Sequence, residues 1–150
     1  MNATDLVSIE DTLTRLTVAP ALGGSLVAWR RRSDDLDLLR PSPEDAQGPR
    51  QLACYPLVPW SNRIANGGFD CPQGWLALSP NAANDPLPIH GSAWQQPWQV
   101  IERGPSSLVL QLDSQVPFAY RAQLRIALNQ GRLSIDLKVT HLAAQPCWHG

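Results

Sequence analysis

The sequence is short of several things, and each absence closes off a class of protein. It has three cysteines, Cys54, Cys71 and Cys147, in 150 residues. They form no CxxC pair and leave an odd thiol, which argues against a disulfide-stapled scaffold and points to a reducing compartment, the cytoplasm. No apolar run approaches the ~20 residues of a membrane helix. The opening MNATDLVSIED carries neither a basic region nor an apolar stretch of a secretory signal, so no membrane partner is expected. Charge of one sign is missing too: 12 Lys and Arg stand against 13 Asp and Glu, for a net charge of −1. The one basic run, Arg30-Arg31-Arg32, is answered at once by Asp34, Asp35 and Asp37. That is the pattern of a solvated strand end, and no nucleic-acid partner is expected. No GxxxxGK[ST] or GxGxxG loop is present to cradle phosphates. His141, Cys147 and His149 match no closed zinc spacing, so no metal is expected.

Helical periodicity is the last absence. No sustained i, i+3, i+4 stripe occurs, and the only helical hint is a brief turn at Ser42-Pro43-Glu44-Asp45, with Ser as cap and Pro in the first turn. The dominant period is two. The run RLSIDLKV from Arg132 places Leu133, Ile135, Leu137 and Val139 on one face. The run from Arg121 to Leu128 does the same with Leu124, Ile126 and Leu128. Asn129-Gln130-Gly131 joins them, predicting an antiparallel hairpin with one buried face. Ser107 to Leu112 repeats the alternation. Leu13 to Val18, Ser25 to Arg30 and Asp35 to Leu39 read as shorter strands, the first two joined by Gly23-Gly24. Trp75 to Leu78 is expected to pair with the segment around Arg63 across Asn66-Gly67-Gly68. The 14 prolines fall mostly between these strands, where a missing N–H costs no ladder bond. The fold class is all-β, antiparallel sheets stacked as a β-sandwich or closed as a barrel. The length is that of one domain, residues 1–150, with enough chain to bury about two thirds of its unfolded surface. Its last strand runs into VTHLAAQPCWHG, an apolar, aromatic tail unlike a domain end in solvent. Large sandwiches reach ~200–250 residues, so the expectation is an incomplete, N-terminal portion of a larger sandwich.

Two polar stretches stand apart from the strands. In LVPWSNRIANGGF, Trp60, Asn62 and Arg63 crowd a corner between a proline and a glycine turn. Buried in a sheet, Arg63 needs a structural carboxylate such as Asp70; alternatively its fork bonds two adjacent ligand hydroxyls, with the Asn62 amide beside it. In LPIHGSAW, His90 sits between Pro88 and Gly91. It is either a turn histidine bonded to a local carbonyl or a group presented to a ligand oxygen near neutral pH. Trp60, Trp94 and Trp98 are core residues or, as indole faces, platforms for the C–H face of a pyranose. Six tryptophans in a chain of this size give the second reading weight.

YPLVPWSNRIANGGF, then PIHGSAW, then Pro117-Phe118-Ala119-Tyr120 and a hairpin ending in VTHLAAQP, resembles the aldose 1-epimerase (galactose mutarotase) superfamily in order and spacing over nearly the whole chain. The resemblance implies a large antiparallel sandwich of the galactose mutarotase-like supersandwich type. It implies a small-molecule sugar, a hexose or hexose phosphate, as partner, and anomer interconversion by acid–base ring opening without a cofactor. By position, Arg63 matches the family's substrate-binding arginine and His90 its first active-site histidine, a catalytic role; Asn62 and Trp98 fall beside them as substrate-binding neighbours. The family's proton donor is a second histidine just after a "TN" segment. Here that segment reads Thr140-His141, with His141 in the place of the Asn and His149 ahead of the donor position. The family's carboxylate base falls beyond Gly150, which implies little turnover by these 150 residues. Two rival expectations follow: a non-catalytic carbohydrate-binding sandwich, or a homodimer that completes its own sheet. A third, a hexose-6-phosphate 1-epimerase, needs a further basic group, for which Arg40, Arg50 and Arg103 are the candidates.

Overall fold

The computed structural model describes residues 6–148. Nine strands form three antiparallel sheets. β1 (Val7–Glu10), β2 (Thr14–Ala19) and β3 (Ser25–Arg31) make a meander in that order. β4 (Gly68–Cys71) and β5 (Gly74–Ala77) form a small hairpin. β6 (Gln99–Arg103), β7 (Ser107–Ser114), β8 (Tyr120–Asn129) and β9 (Arg132–His141) form a four-stranded sheet, again in chain order. Gly23 and Gly24, at φ 68° and 65°, turn β2 into β3. Gln130 and Gly131, at φ 50° and 75°, make the two-residue turn between β8 and β9, the conformation that matches strand twist in tight hairpins. No α-helix occurs among the described residues.

Apolar alternation on both sheets faces a shared core. Ile9, Leu16, Val18 and Leu26 of the first sheet pack with Leu108, Leu110 and Leu112 of β7 and with Tyr120, Ala122, Leu124, Ile126 and Leu128 of β8. Burying one such aliphatic side chain is worth about 1.5–3 kcal/mol. The carboxylate of Asp11 ties the two sheets together at one end. Its Oδ1 accepts from the backbone N–H groups of Leu13 (2.9 Å) and Thr14 (2.7 Å), and its Oδ2 from that of Gly131 (2.7 Å) in the distant β8–β9 turn.

The β8–β9 hairpin forms in the expected register, with Ile126 opposite Ile135 and Leu124 opposite Leu137. Directly paired residues share a face, so the β9 stripe does lie on the core side. It is not buried there: Ile135, Leu137 and Val139 are 45%, 44% and 37% exposed. β9 ends the sheet order, and of its residues only Leu133 packs against the core cluster. The expected buried face therefore holds for β8 and stops at β9.

Three further expectations need correction. Asp35 to Leu39 is not a strand, because only Asp37 pairs, in an isolated bridge with Arg30 reinforced by a 2.7 Å ion pair. The turn at Ser42–Asp45 is not helical; the Ser42 hydroxyl bonds the Val27 carbonyl (2.6 Å) instead of capping. A short 3₁₀ turn lies at Pro49–Gln51. The segment around Arg63 does not pair with Trp75: Trp75 pairs with Asp70 inside the β4–β5 hairpin, and Arg63 bridges Ile89.

Candidate functional site

The two polar stretches meet. Val58 bridges Gly91 and Arg63 bridges Ile89. The N–H of Ala93 donates to the Val58 carbonyl (3.1 Å), that of His90 to Asn62 (2.9 Å), and that of Ile64 to Pro88 (3.1 Å). Gly91 adopts φ 65°, and a Cβ there would lie 2.0 Å from the Val58 carbonyl oxygen. Only glycine lets the two backbones approach this closely, which explains the residue after His90. Asn81 clamps the same segment: its Nδ2 donates to the carbonyls of Ile89 and Gly91, and its Oδ1 accepts from the Ile89 N–H, each at 2.8 Å. The indole N–H of Trp94 adds bonds to Ile89 (3.3 Å) and Gly91 (3.1 Å).

This frame decides the chemistry of His90. The residue sits at φ 61°, an unusual backbone for a non-glycine residue. The backbone N–H of Asn62 donates to its Nδ1 at 3.0 Å. Nδ1 is thus an acceptor, and the neutral ring carries its proton on Nε2. Burial pushes the pKa of the imidazole down, helped by the nearby cations Arg50 and Arg63 and opposed by Asp85. The ring is neutral at pH 7, with Nε2–H as a donor for an incoming oxygen.

Arg63 is held by a carboxylate, but by Asp85 rather than Asp70. Its Nε lies 3.0 and 3.2 Å from the two Asp85 oxygens, and Nη2 is 2.8 Å from Oδ2. Asp85 is 8% exposed while Arg63 is 49% exposed. The carboxylate engages the Nε–Nη2 edge, so the opposite edge of the guanidinium stays open to solvent. The Arg63 cation also holds the Asp85 carboxyl below the usual range, making it a poor base at neutral pH. Asn62, at φ 58°, is exposed beside this pair.

Trp98 lies elsewhere. It is 3% exposed within the core, its indole N–H bonds Ala93 (3.0 Å), and its ring packs on Gly24. The aromatic wall is built by other residues. Tyr55 stands edge-on to His90 (6.3 Å between centroids) and stacks obliquely on Trp94 (5.9 Å), and Arg50 lies over the Trp94 ring at 5.5 Å. Arg50 and Trp94 line a cleft of about 310 Å³. A second cleft of about 330 Å³ is lined by Trp60, Asn81, Gly91 and Ser92. Of the candidate metal ligands, His141 Nε2 meets the Gln145 carbonyl (2.8 Å) and Cys147 Sγ lies 3.8 Å from Cys71 Sγ; His149 is outside the described residues.

Arg63, Asn62 and His90, all singled out by sequence reasoning, lie together in the structure. Asp85, Asn81 and Tyr55 escaped it. The signal for the first two was the Pro-rich run NAANDPLP, whose backbone groups lack ladder partners and need side chains to satisfy them.

The chain is similar to a putative aldose 1-epimerase of Escherichia coli K12, with a TM-score of 0.86 and 27% identity over 93% of this chain and 47% of that one. It is 29% identical to the uncharacterised protein YphB of Escherichia coli K12, over 81% of this chain and 42% of that protein. A galactose mutarotase-like protein from Clostridium acetobutylicum shares the fold, with a TM-score of 0.77 at 17% identity, over 93% of this chain and 46% of that one. The chain spans about half the length of these relatives. The aldose 1-epimerase family model matches residues 5–149, and the chain belongs to that family.

Proposed function

We propose that the corner formed by Asn62, Arg63 and His90 binds a hexose and assists the interconversion of its anomers. Mutarotation removes the proton of the anomeric hydroxyl, delivers one to the ring oxygen and opens the hemiacetal; rotation about C1–C2 and reclosure then invert the anomer. Negative charge builds on oxygen as the ring opens, and preorganised donors favour that state over the ground state. His90 offers Nε2–H, and Arg63 offers the free edge of its fork to neighbouring hydroxyls. The observation that carries this reading is the bond from the Asn62 N–H to His90 Nδ1, which fixes the tautomer that can donate. Asp85 is committed to Arg63 and does not act as the base. The expected activity of these 150 residues is therefore a small acceleration over water, well short of the 10²–10⁴-fold that a placed acid–base group contributes.

The test is the decay of pure α-D-glucose or α-D-galactose toward equilibrium, followed by polarimetry. His90→Ala and Arg63→Ala should each abolish the acceleration and weaken hexose binding in calorimetry. Binding without any acceleration would make the chain a carbohydrate-binding sandwich. No binding of any hexose would overturn both readings.

One observation favours a phosphorylated hexose as the substrate. Of the three arginines considered for a phosphate, Arg40 bonds the Leu52 carbonyl (2.5 Å) and Arg103 that of Ser8 (3.2 Å). Arg50 alone lies by the site, laid over Trp94 and near enough to lower the pKa of both His90 and Asp85. Tighter binding of a hexose 6-phosphate than of the free hexose, lost in Arg50→Ala, is the expected result; equal binding of the two would remove this reading.

A further inference from the structure

Two of the three thiols meet, although they lie 76 residues apart in the chain. Cys71 closes β4, where it pairs with Gly74 across the hairpin turn, and it is buried. Cys147 lies in the irregular segment that follows β9 and packs against the core cluster. The Cys71 thiol donates to Cys147 Sγ at 3.8 Å, and the side-chain amide of Gln73 donates to the same sulfur at 3.6 Å. Two further bonds dock the segments on each other. The Trp148 indole N–H donates to the Asp70 carbonyl (2.9 Å), and the Gln73 amide reaches the Pro146 carbonyl (3.4 Å). Pro146, Cys147 and Trp148 thus each have a partner at the tip of the β4–β5 hairpin, with the two thiols matched in the middle. Cys54 sits elsewhere, in an isolated bridge with Leu26.

We propose that Cys71 and Cys147 are a reversible thiol–disulfide pair, whose bridge fastens the β4–β5 hairpin to the segment after β9. Bonded sulfurs lie about 2 Å apart, so the 3.8 Å separation has to shrink by roughly half. Cys147 lies outside any strand and can supply that shift, whereas Cys71 is fixed in β4. A small-molecule disulfide such as oxidised glutathione is the oxidant. The Cys147 thiol loses its proton and its sulfur attacks that disulfide; the small S–S bond breaks and one glutathione thiolate leaves. Cys71 then gives up its proton and attacks Cys147 Sγ, and the second glutathione thiolate departs as the protein S–S bond forms. Two protein thiols are oxidised, and one small disulfide is reduced to two thiols. The order follows from burial. Burial, with the Cys147 thiol beside it, pushes the pKa of Cys71 up, so Cys71 is the slower thiol toward an external oxidant. It is already placed for the second attack. Excess thiol runs the exchange backward and reopens the bridge, which makes it a switch and not a fixed staple. The β4–β5 hairpin is also the connection between Arg63 and Asn81, so the bridge steadies the stretch that joins the guanidinium to the clamp on the His90 loop.

The test takes the full chain, reduced and then equilibrated with mixtures of reduced and oxidised glutathione. Non-reducing peptide mapping by mass spectrometry should find Cys71 joined to Cys147 within one chain, with Cys54 left as a thiol or a glutathione adduct. The bridge closes a long loop and restrains the unfolded chain, so the oxidised form should melt about 5 °C or more above the reduced form. Dithiothreitol should return the melting temperature to its starting value. Cys54→Ser keeps both partners and should behave as the wild type. Cys71→Ser should stop at a glutathione adduct on Cys147, with no rise in melting temperature. No bridge at any glutathione ratio, a bridge made by Cys54, a bridge between two chains, or a bridge that leaves the melting temperature unchanged or lower would each overturn the proposal.

Discussion

The β8–β9 hairpin and the Arg63–His90 corner are held together by opposite means. The hairpin repeats one device: a ladder bond at every second residue and an apolar side chain between. Its energy is spread over many equivalent contacts. The corner has two isolated bridges and no ladder. It depends on single groups, Gly91 for the close approach, Asn81 and Trp94 for the loop carbonyls, and Asp85 for the arginine. A distributed structure tolerates loss at any one place, whereas a concentrated one fixes side chains accurately and fails at a point. That is the arrangement expected where a rigid scaffold carries a binding loop.

The difference can be broken at its sharpest point first. Gly91→Ala forces a Cβ to within 2.0 Å of the Val58 carbonyl oxygen at positive φ. It should cost about 3 kcal/mol or more in chemical denaturation and abolish hexose binding. The hairpin responds in a graded way. Ile126→Ala on β8 should cost about 2–5 kcal/mol. Ile135→Ala, directly opposite on β9 but 45% exposed, should cost the monomer under about 1 kcal/mol. Equal losses at the two positions would mean that β9 is covered in the monomer. The smallest effect is that of pH on His90. Its folded pKa lies below its unfolded value, so the unfolded chain binds more protons and stability rises with pH through the window beneath about 6.5. Subtracting the melting-temperature profile of His90→Gln from that of the wild type should leave a small rise over that window, and a flat or inverted difference would contradict the assignment of a neutral ring.

How much of this was legible in the sequence differs between the two regions for the same physical reason. The hairpin was readable because period two and a glycine-containing connection are local properties. Even so, alternation specifies which way a side chain points and not whether anything lies opposite, so the fate of Ile135, Leu137 and Val139 could not be read from it. In the corner, Arg63 and His90 drew notice by residue type and by the glycine beside the histidine. Their partners did not. Asp85 lies 22 residues from Arg63, and Asn81 lies 8 from Ile89. No periodicity links them, since irregular loops bring them together. Trp98 illustrates the converse: an indole near a polar motif in sequence was taken into the core by the close packing at Gly24.

The carboxylate of Asp11 has a consequence for how the chain reaches this state. Its bonds to Leu13 and Thr14 are made within one turn and can form as soon as β1 and β2 exist. Its bond to Gly131 spans 120 residues and must wait for the β8–β9 hairpin. The same side chain thus takes part in one of the earliest local events and in one of the latest. Loop closure over such a separation is entropically costly and slows folding. The first meander stands with its core face open to water until β7 and β8 arrive to cover it. Asp11 works as a latch at the seam, closing only when the β1–β2 turn and the β8–β9 turn have met.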